Sequence, residues 1–167
     1  MSKAFTDEEA DDLPVIVRPR APLPLGVPNY VTGRGLAALQ AELAAFAEER
    51  VRAEAIANEK DRGRALGALA RRRAELEERI ATAQVVAPSN DARGVVRFGA
   101  SVQVAGDGGE RRYRIVGVDE ADAAAGAIAF TSPLARALLG RQVGDAVRLR
   151  APRGDEELEI VAVDYEG

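Results

Sequence analysis

The chain has no cysteine, no histidine and no tryptophan among its 167 residues, and a single methionine. Without cysteine there is no disulfide framework, and without histidine no imidazole base. Zinc sites of the usual kinds and Ser-His-Asp or Cys-His nucleophiles are therefore excluded together. Any metal would be a hard cation such as Mg²⁺ held by carboxylates, and the sequence calls for no cofactor. Aromatics are scarce (four Phe, three Tyr), so the cores must be built from Val, Ile, Leu and Ala. No apolar run approaches the roughly 20 residues that span a bilayer. The opening MSKAFTDEEADD is acidic and lacks the apolar stretch of a secretory leader. The expectation is a soluble, cytoplasmic protein. A net charge of −4 speaks against specific DNA binding as the main activity, because neutralising phosphates takes concentrated Lys and Arg.

What is present falls into segments. Residues 1–30 hold five of the eight prolines (Pro14, Pro19, Pro22, Pro24, Pro28) behind the acids Asp7, Glu8, Glu9, Asp11 and Asp12. Proline fixes φ and lacks an N–H, so this segment predicts a disordered, extended tail. An acidic clamp onto a basic partner is the other use for those charges. Residues 31–86 predict two helices, with Thr32 as the first N-cap. Leu36, Leu39, Leu43 and Phe46 step 3, 4, 3, and so do Leu66, Leu69, Arg73, Leu76, Ile80 and Ala83 on the return. Two such stripes joined by a short turn make an antiparallel coiled coil. Glu42, Glu48, Glu49 and Glu54 on one arm and Arg71, Arg72, Arg73 and Arg79 on the other predict pairing across the arms.

Residues 87–94, APSNDARG, predict a linker. Beyond it the period becomes two. SVQVA, GDGG and ERRYRIVG predict a β-hairpin, AIAFT (127–131) a third strand, and PLARALLG (133–140) a short helix capped by Ser132. DAVRLRAP and EELEIVAVDY predict a last hairpin around Arg153 and Gly154. The fold class is α+β: a helical hairpin, then a domain over 95–167 with an antiparallel sheet and one short helix.

The residues offer little chemistry. Gly33-x-Gly35 follows no strand and lacks a third glycine, so it is no dinucleotide fingerprint. Glu156 and Glu157 point to opposite faces of one strand. Asp119 and Glu120, in GVDEAD, suit a turn or a partner contact. At the hairpin tip, ANEKDRGRALG (57–67) sets Asn58, Glu59, Asp61 and Arg62 together; its acids are either a solvated corner or working ligands.

YRIVGVDEAD (113–122), SPLARALLG (132–140), VGDAV (143–147) and EELEIVAVDY resemble the Gre family of bacterial transcript-cleavage factors. YVTGRGLAALQAEL resembles that family's opening helix and AQVV (83–86) its hairpin close, so the resemblance covers about residues 30–165. It implies an FKBP-like C-terminal domain that docks, as a monomer, on the rim of the secondary channel of core RNA polymerase while the coiled coil enters the channel. The docking surface it implies is Ser132, Pro133, Leu134 and Ala135, with Asp119 and Glu120 as secondary candidates. Cleavage-stimulating members carry a tip motif G-D-x-x-E-N-A-x-Y whose Asp and Glu help hold a second Mg²⁺.

This chain departs from that motif. Glu59 and Asp61 are two apart, Lys60 lies between them, and Arg62 and Arg64 follow, so nearby cations compete with a metal. The hairpin is also shorter than usual by roughly a heptad per arm, about 10 Å of reach at 1.5 Å per residue. The expectation is a polymerase-binding regulator of elongation that is not itself an enzyme and does not stimulate cleavage efficiently. Two alternatives stand beside it: a cleavage factor using Glu59 and Asp61 as displaced ligands, and a helical interaction module that does not act on polymerase.

Overall fold

A computed structural model describes residues 19–87 and 94–165. Residues 1–18 and most of the predicted linker lie outside the described residues. The elements run β1 (Tyr30–Val31), α1 (Gly33–Glu54), α2 (Glu59–Thr82), β2 (Gln84–Val85), β3 (Ala100–Gly106), β4 (Gly109–Val116), β5 (Ala127–Ala129), α3 (Pro133–Leu138), β6 (Ala146–Ala151) and β7 (Gly154–Tyr165). Among the described residues no helix is long and apolar enough to cross a membrane.

The helical hairpin forms as its stripe requires. Thr32 opens α1 by accepting the Gly35 N–H at 3.0 Å. Leu39, Phe46 and Leu76 are buried in the seam, with Leu43, Leu69 and Ile80 packed against them. Each such side chain stabilises by about 1.5–3 kcal/mol when fully buried. Arg73, a stripe position by spacing, is exposed and pairs with Glu77 one turn on at 2.9 Å. A guanidinium left unpaired in an apolar seam would cost more than its stem returns. Pairing across the arms is also narrower than expected. Arg72 alone of the four arginines reaches the other arm, at Glu49 (2.9 Å), with its guanidinium 5.1 Å from the centre of the Phe46 ring.

The base of the hairpin is closed by a tie the sequence did not announce. β1 and β2 pair in parallel, Tyr30 against Gln84 and Val31 against Val85. Buried Asn29 donates to the Arg79 carbonyl (2.9 Å) and to the Thr82 hydroxyl (3.2 Å), satisfying groups at the end of α2.

The C-terminal sheet has the order β5-β4-β3-β7-β6. Its neighbours are antiparallel except β4 and β5, which are parallel, so the expected antiparallel sheet is in fact mixed. Alternation shows which residues face the core and is silent on strand direction. The chain between β4 and β5 makes two 3₁₀ turns, Val118–Glu120 and Ala123–Ala125, and returns in the same sense. β5 also stops at Ala129, short of the expected Thr131. Val102, Val104, Ile115, Leu158 and Ile160 are wholly buried, and α3 covers them with Ala135 and Leu138. Gly109 (φ 95°) and Gly154 (φ 119°) turn the two hairpins in a conformation that side-chain-bearing residues rarely adopt.

The loop after β4 then seats the helical hairpin. Glu120 accepts from the Thr32 N–H (3.0 Å), the Thr32 hydroxyl and the Gly117 N–H (3.1 Å). Asp119, its side chain 3% exposed, takes Arg79 of α2 at 3.1 Å and Arg20 at 2.9 Å, while Arg20 also reaches Glu42 of α1 at 2.6 Å. Tyr30, Phe98 and Phe130 meet at tilted and edge-on angles, the three ring centres 5.5–5.9 Å apart. The tail expected to stay uncommitted to residue 30 is therefore committed from Pro19 onward, because Arg20 finds two carboxylates and Arg79 donates to the Ala21 carbonyl.

Two glycines test this joint with opposite signs. Nothing lies within 4 Å of a Cβ built at Gly67, so Gly67→Ala should stabilise α2 by about 0.5–1 kcal/mol. A Cβ at Gly35 would meet the Glu120 carboxyl carbon at 2.1 Å, so Gly35→Ala should destabilise despite alanine's helix propensity. Thermal unfolding followed by circular dichroism reads both. Equal stabilisation by the two substitutions would mean Glu120 is not seated on α1.

Candidate functional site

The four residues at the start of α3 are built as the sequence suggested and divide in what they present. Ser132 Oγ accepts the Ala135 N–H at 3.2 Å, and Pro133 occupies the first helical turn, where its missing N–H costs nothing. Pro133 is exposed; Ser132 and Leu134 are half-buried, and Leu134 leans on the core. Ala135 is wholly buried in that core. It cannot touch a partner, and its place in a presented face is corrected: the small side chain lets α3 approach the sheet closely.

Asp119 and Glu120 stand apart from that face in their task. Both carboxylates are satisfied inside the molecule, by Arg20 and Arg79 and by Thr32 and Gly117. A partner contact through either would have to break the joint. Burial works against the Arg20 charge, but the hydrogen bond to Asp119 and the pull of Glu42 outweigh it, holding its pKa above the ordinary value. The cluster was hidden from sequence reading. Arg20 sits among prolines in RPRAP, with no periodic neighbour to mark it.

The hairpin tip is a corner held by its own side chains. Asn58 Oδ1 accepts the Lys60 and Asp61 N–H groups at 3.0 and 3.1 Å, capping α2. Arg62 turns back to donate to the carbonyls of Ile56 (3.0 Å) and Ala57 (3.5 Å), where α1 has ended. Glu59 and Asp61 are exposed in the first turn of α2, where acids complement the helix dipole. Among the described residues no group of three or more Asp and Glu side chains is placed to hold a metal ion.

A family model described as "Transcription elongation factor, GreA/GreB, C-term" matches residues 90–165. Transcription elongation factor GreA of Acidiphilium cryptum is 47% identical over 94 residues, 55% of this chain and 60% of that protein. GreA of Thioalkalivibrio sulfidiphilus is 46% identical over 94 residues, 54% of this chain and 60% of that protein. The alignments thus span 60% of the length of these relatives. The crystal structure of the GreA factor homolog 1 (Gfh1) protein of Thermus thermophilus aligns with 81% of this chain and 97% of its own, at 24% identity. The two superpose with a TM-score of 0.40.

If the tip is a cap and not a metal holder, Asn58→Ala should cost about 1 kcal/mol of hairpin stability. Amide exchange at Lys60 and Asp61 should quicken accordingly. Mg²⁺ at millimolar concentration should leave those amides in place in the NMR spectrum. A Mg²⁺-dependent shift that Glu59→Ala abolishes would contradict the corner.

Proposed function

We propose that this chain, whose residues 90–165 match the GreA/GreB C-terminal family model, binds RNA polymerase and regulates transcript elongation. The α3 start docks on the rim of the secondary channel, with Pro133 and the outer edges of Ser132 and Leu134 as the contact. The helical hairpin enters the channel and occupies it without stimulating cleavage efficiently. The single observation that carries the last point is the use of the tip side chains. Asn58 and Arg62 are engaged in closing the two helix ends, and Lys60 separates the only two acids at the corner. At 22 and 24 residues, α1 and α2 reach about 33–36 Å at 1.5 Å per residue. A ligand two helical turns short cannot be recovered by side-chain flexing, since Mg²⁺–oxygen bonds are only about 2.1 Å long.

The docking face is tested with Pro133→Asp. An acid at the first helical turn suits the dipole, so α3 should persist. Binding to core RNA polymerase should weaken roughly tenfold or more, about 1.4 kcal/mol. Wild-type affinity in that variant would remove Pro133 from the contact.

The tip is tested on backtracked elongation complexes. The wild type should give little transcript cleavage, should block a cleavage-competent family member when in excess, and should behave like Glu59→Ala/Asp61→Ala in both respects. Strong cleavage by the wild type that the double variant loses would establish the tip acids as ligands.

A further inference from the structure

The positive charge of the hairpin is concentrated away from its base. From Asn58 to Arg73 there are six bases (Lys60, Arg62, Arg64, Arg71, Arg72, Arg73) against two acids (Glu59, Asp61). Three of the six have internal work: Arg62 on the Ile56 carbonyl, Arg72 on Glu49 and Arg73 on Glu77. The side chains of Lys60, Arg64 and Arg71 are exposed and have no hydrogen-bond or ion-pair partner among the described residues. They recur at steps of four and seven along α2, the spacing of one helix face.

The described chain begins beside that face. Pro19, Arg20 and Ala21 line one groove of about 780 Å³ with Ala68, Arg71 and Arg72 of α2 and Val118 and Ala121 of the joint loop; its acids are Asp119 and Glu42, both paired with Arg20, and Glu75. The sequence that leads into Pro19 carries five acids in six positions, Asp7 to Asp12. We propose that this acidic segment is the occupant of the free basic face, docking in cis along α2 over Arg71, Arg64 and Lys60.

Reach and charge both fit. Asp12 is seven residues from Pro19, a span of up to about 23 Å at 3.3 Å per residue. Arg64 lies seven residues beyond Arg71, only about 10 Å along the helix. Single exposed ion pairs are weak, but a tethered segment meets its site at an effective concentration on the order of millimolar, so several weak pairs together suffice. The docked acids would mask the charge of the hairpin that the function proposed above sends into the channel. The cis contact itself does not depend on that function.

The absence of cysteine gives a clean experiment. Ala10→Cys in the full chain, carrying a nitroxide label, should cause loss of the amide signals of residues 60–71 in the free protein. The signals should return when Asp7, Glu8, Glu9, Asp11 and Asp12 are changed to Asn or Gln, and likewise in Arg64→Gln/Arg71→Gln. Roughly 1 M sodium chloride, where the screening length is about 3 Å, should also restore them. Unchanged amides in the labelled parent overturn the proposal. So does signal loss that survives both sets of substitutions. Loss induced in an unlabelled chain by a separately labelled one would place the contact between two copies and overturns it equally. No polymerase enters the measurement, so its failure is distinct from failure of the functional reading.

Discussion

Everything that projects from this molecule depends on how the loop after β4 grips the base of the hairpin. Glu120 takes the amide and hydroxyl of Thr32, the residue that caps α1. Asp119, nearly sealed from solvent, takes Arg79 near the other end of the hairpin and Arg20 from the preceding chain. A carboxylate out of water needs both partners: losing one would leave charge uncompensated, whereas the intact set satisfies every member. One turn of chain therefore fixes the start of α1, the end of α2 and the irregular segment at Arg20 at once. The Tyr30, Phe98 and Phe130 rings add an apolar contact beside the polar one.

This arrangement explains why the same two acids can be misread as outward-facing. In GVDEAD they look like loop acids free to meet a partner, and only the fold shows that the hairpin arrives to use them. The tip shows the complementary case. There the neighbouring Asn58 and Arg62 close the two helix ends, while the acids Glu59 and Asp61 stay exposed. At the joint geometry decides the role, and residue type alone does not.

The helical seam was legible because burial imposes spacing: Leu39, Phe46 and Leu76 are where a 3.6-residue period must put them. The hairpin turns at Gly109 and Gly154 were legible because few residues tolerate their φ. The joint was not. Arg20 and Asp119 are 99 positions apart, and a polar contact of that separation leaves no periodic trace. The direction of β5 was hidden for a related reason, since alternation is the same whichever way a strand runs. Ala135 was misplaced because a helix of six residues is too short for its pattern to reveal which side is inward. At the candidate site, then, the α3 cap and the turn at the hairpin tip could be read in advance. The buried side of α3 could not.

The hairpin is supported at one end only, which makes it a cantilever. Its length is about 33 Å at 1.5 Å per residue along α1, while the joint that resists it consists of the loop after β4 and the Tyr30, Phe98 and Phe130 rings. A sideways push at the tip is therefore delivered to Asp119 and Glu120 multiplied by that lever arm. The seam itself is packed most tightly at Leu39, Phe46 and Leu76, and between these and the tip only Ala53 is buried among its residues. Bending load thus meets a beam that is stiff near its root and compliant at its point.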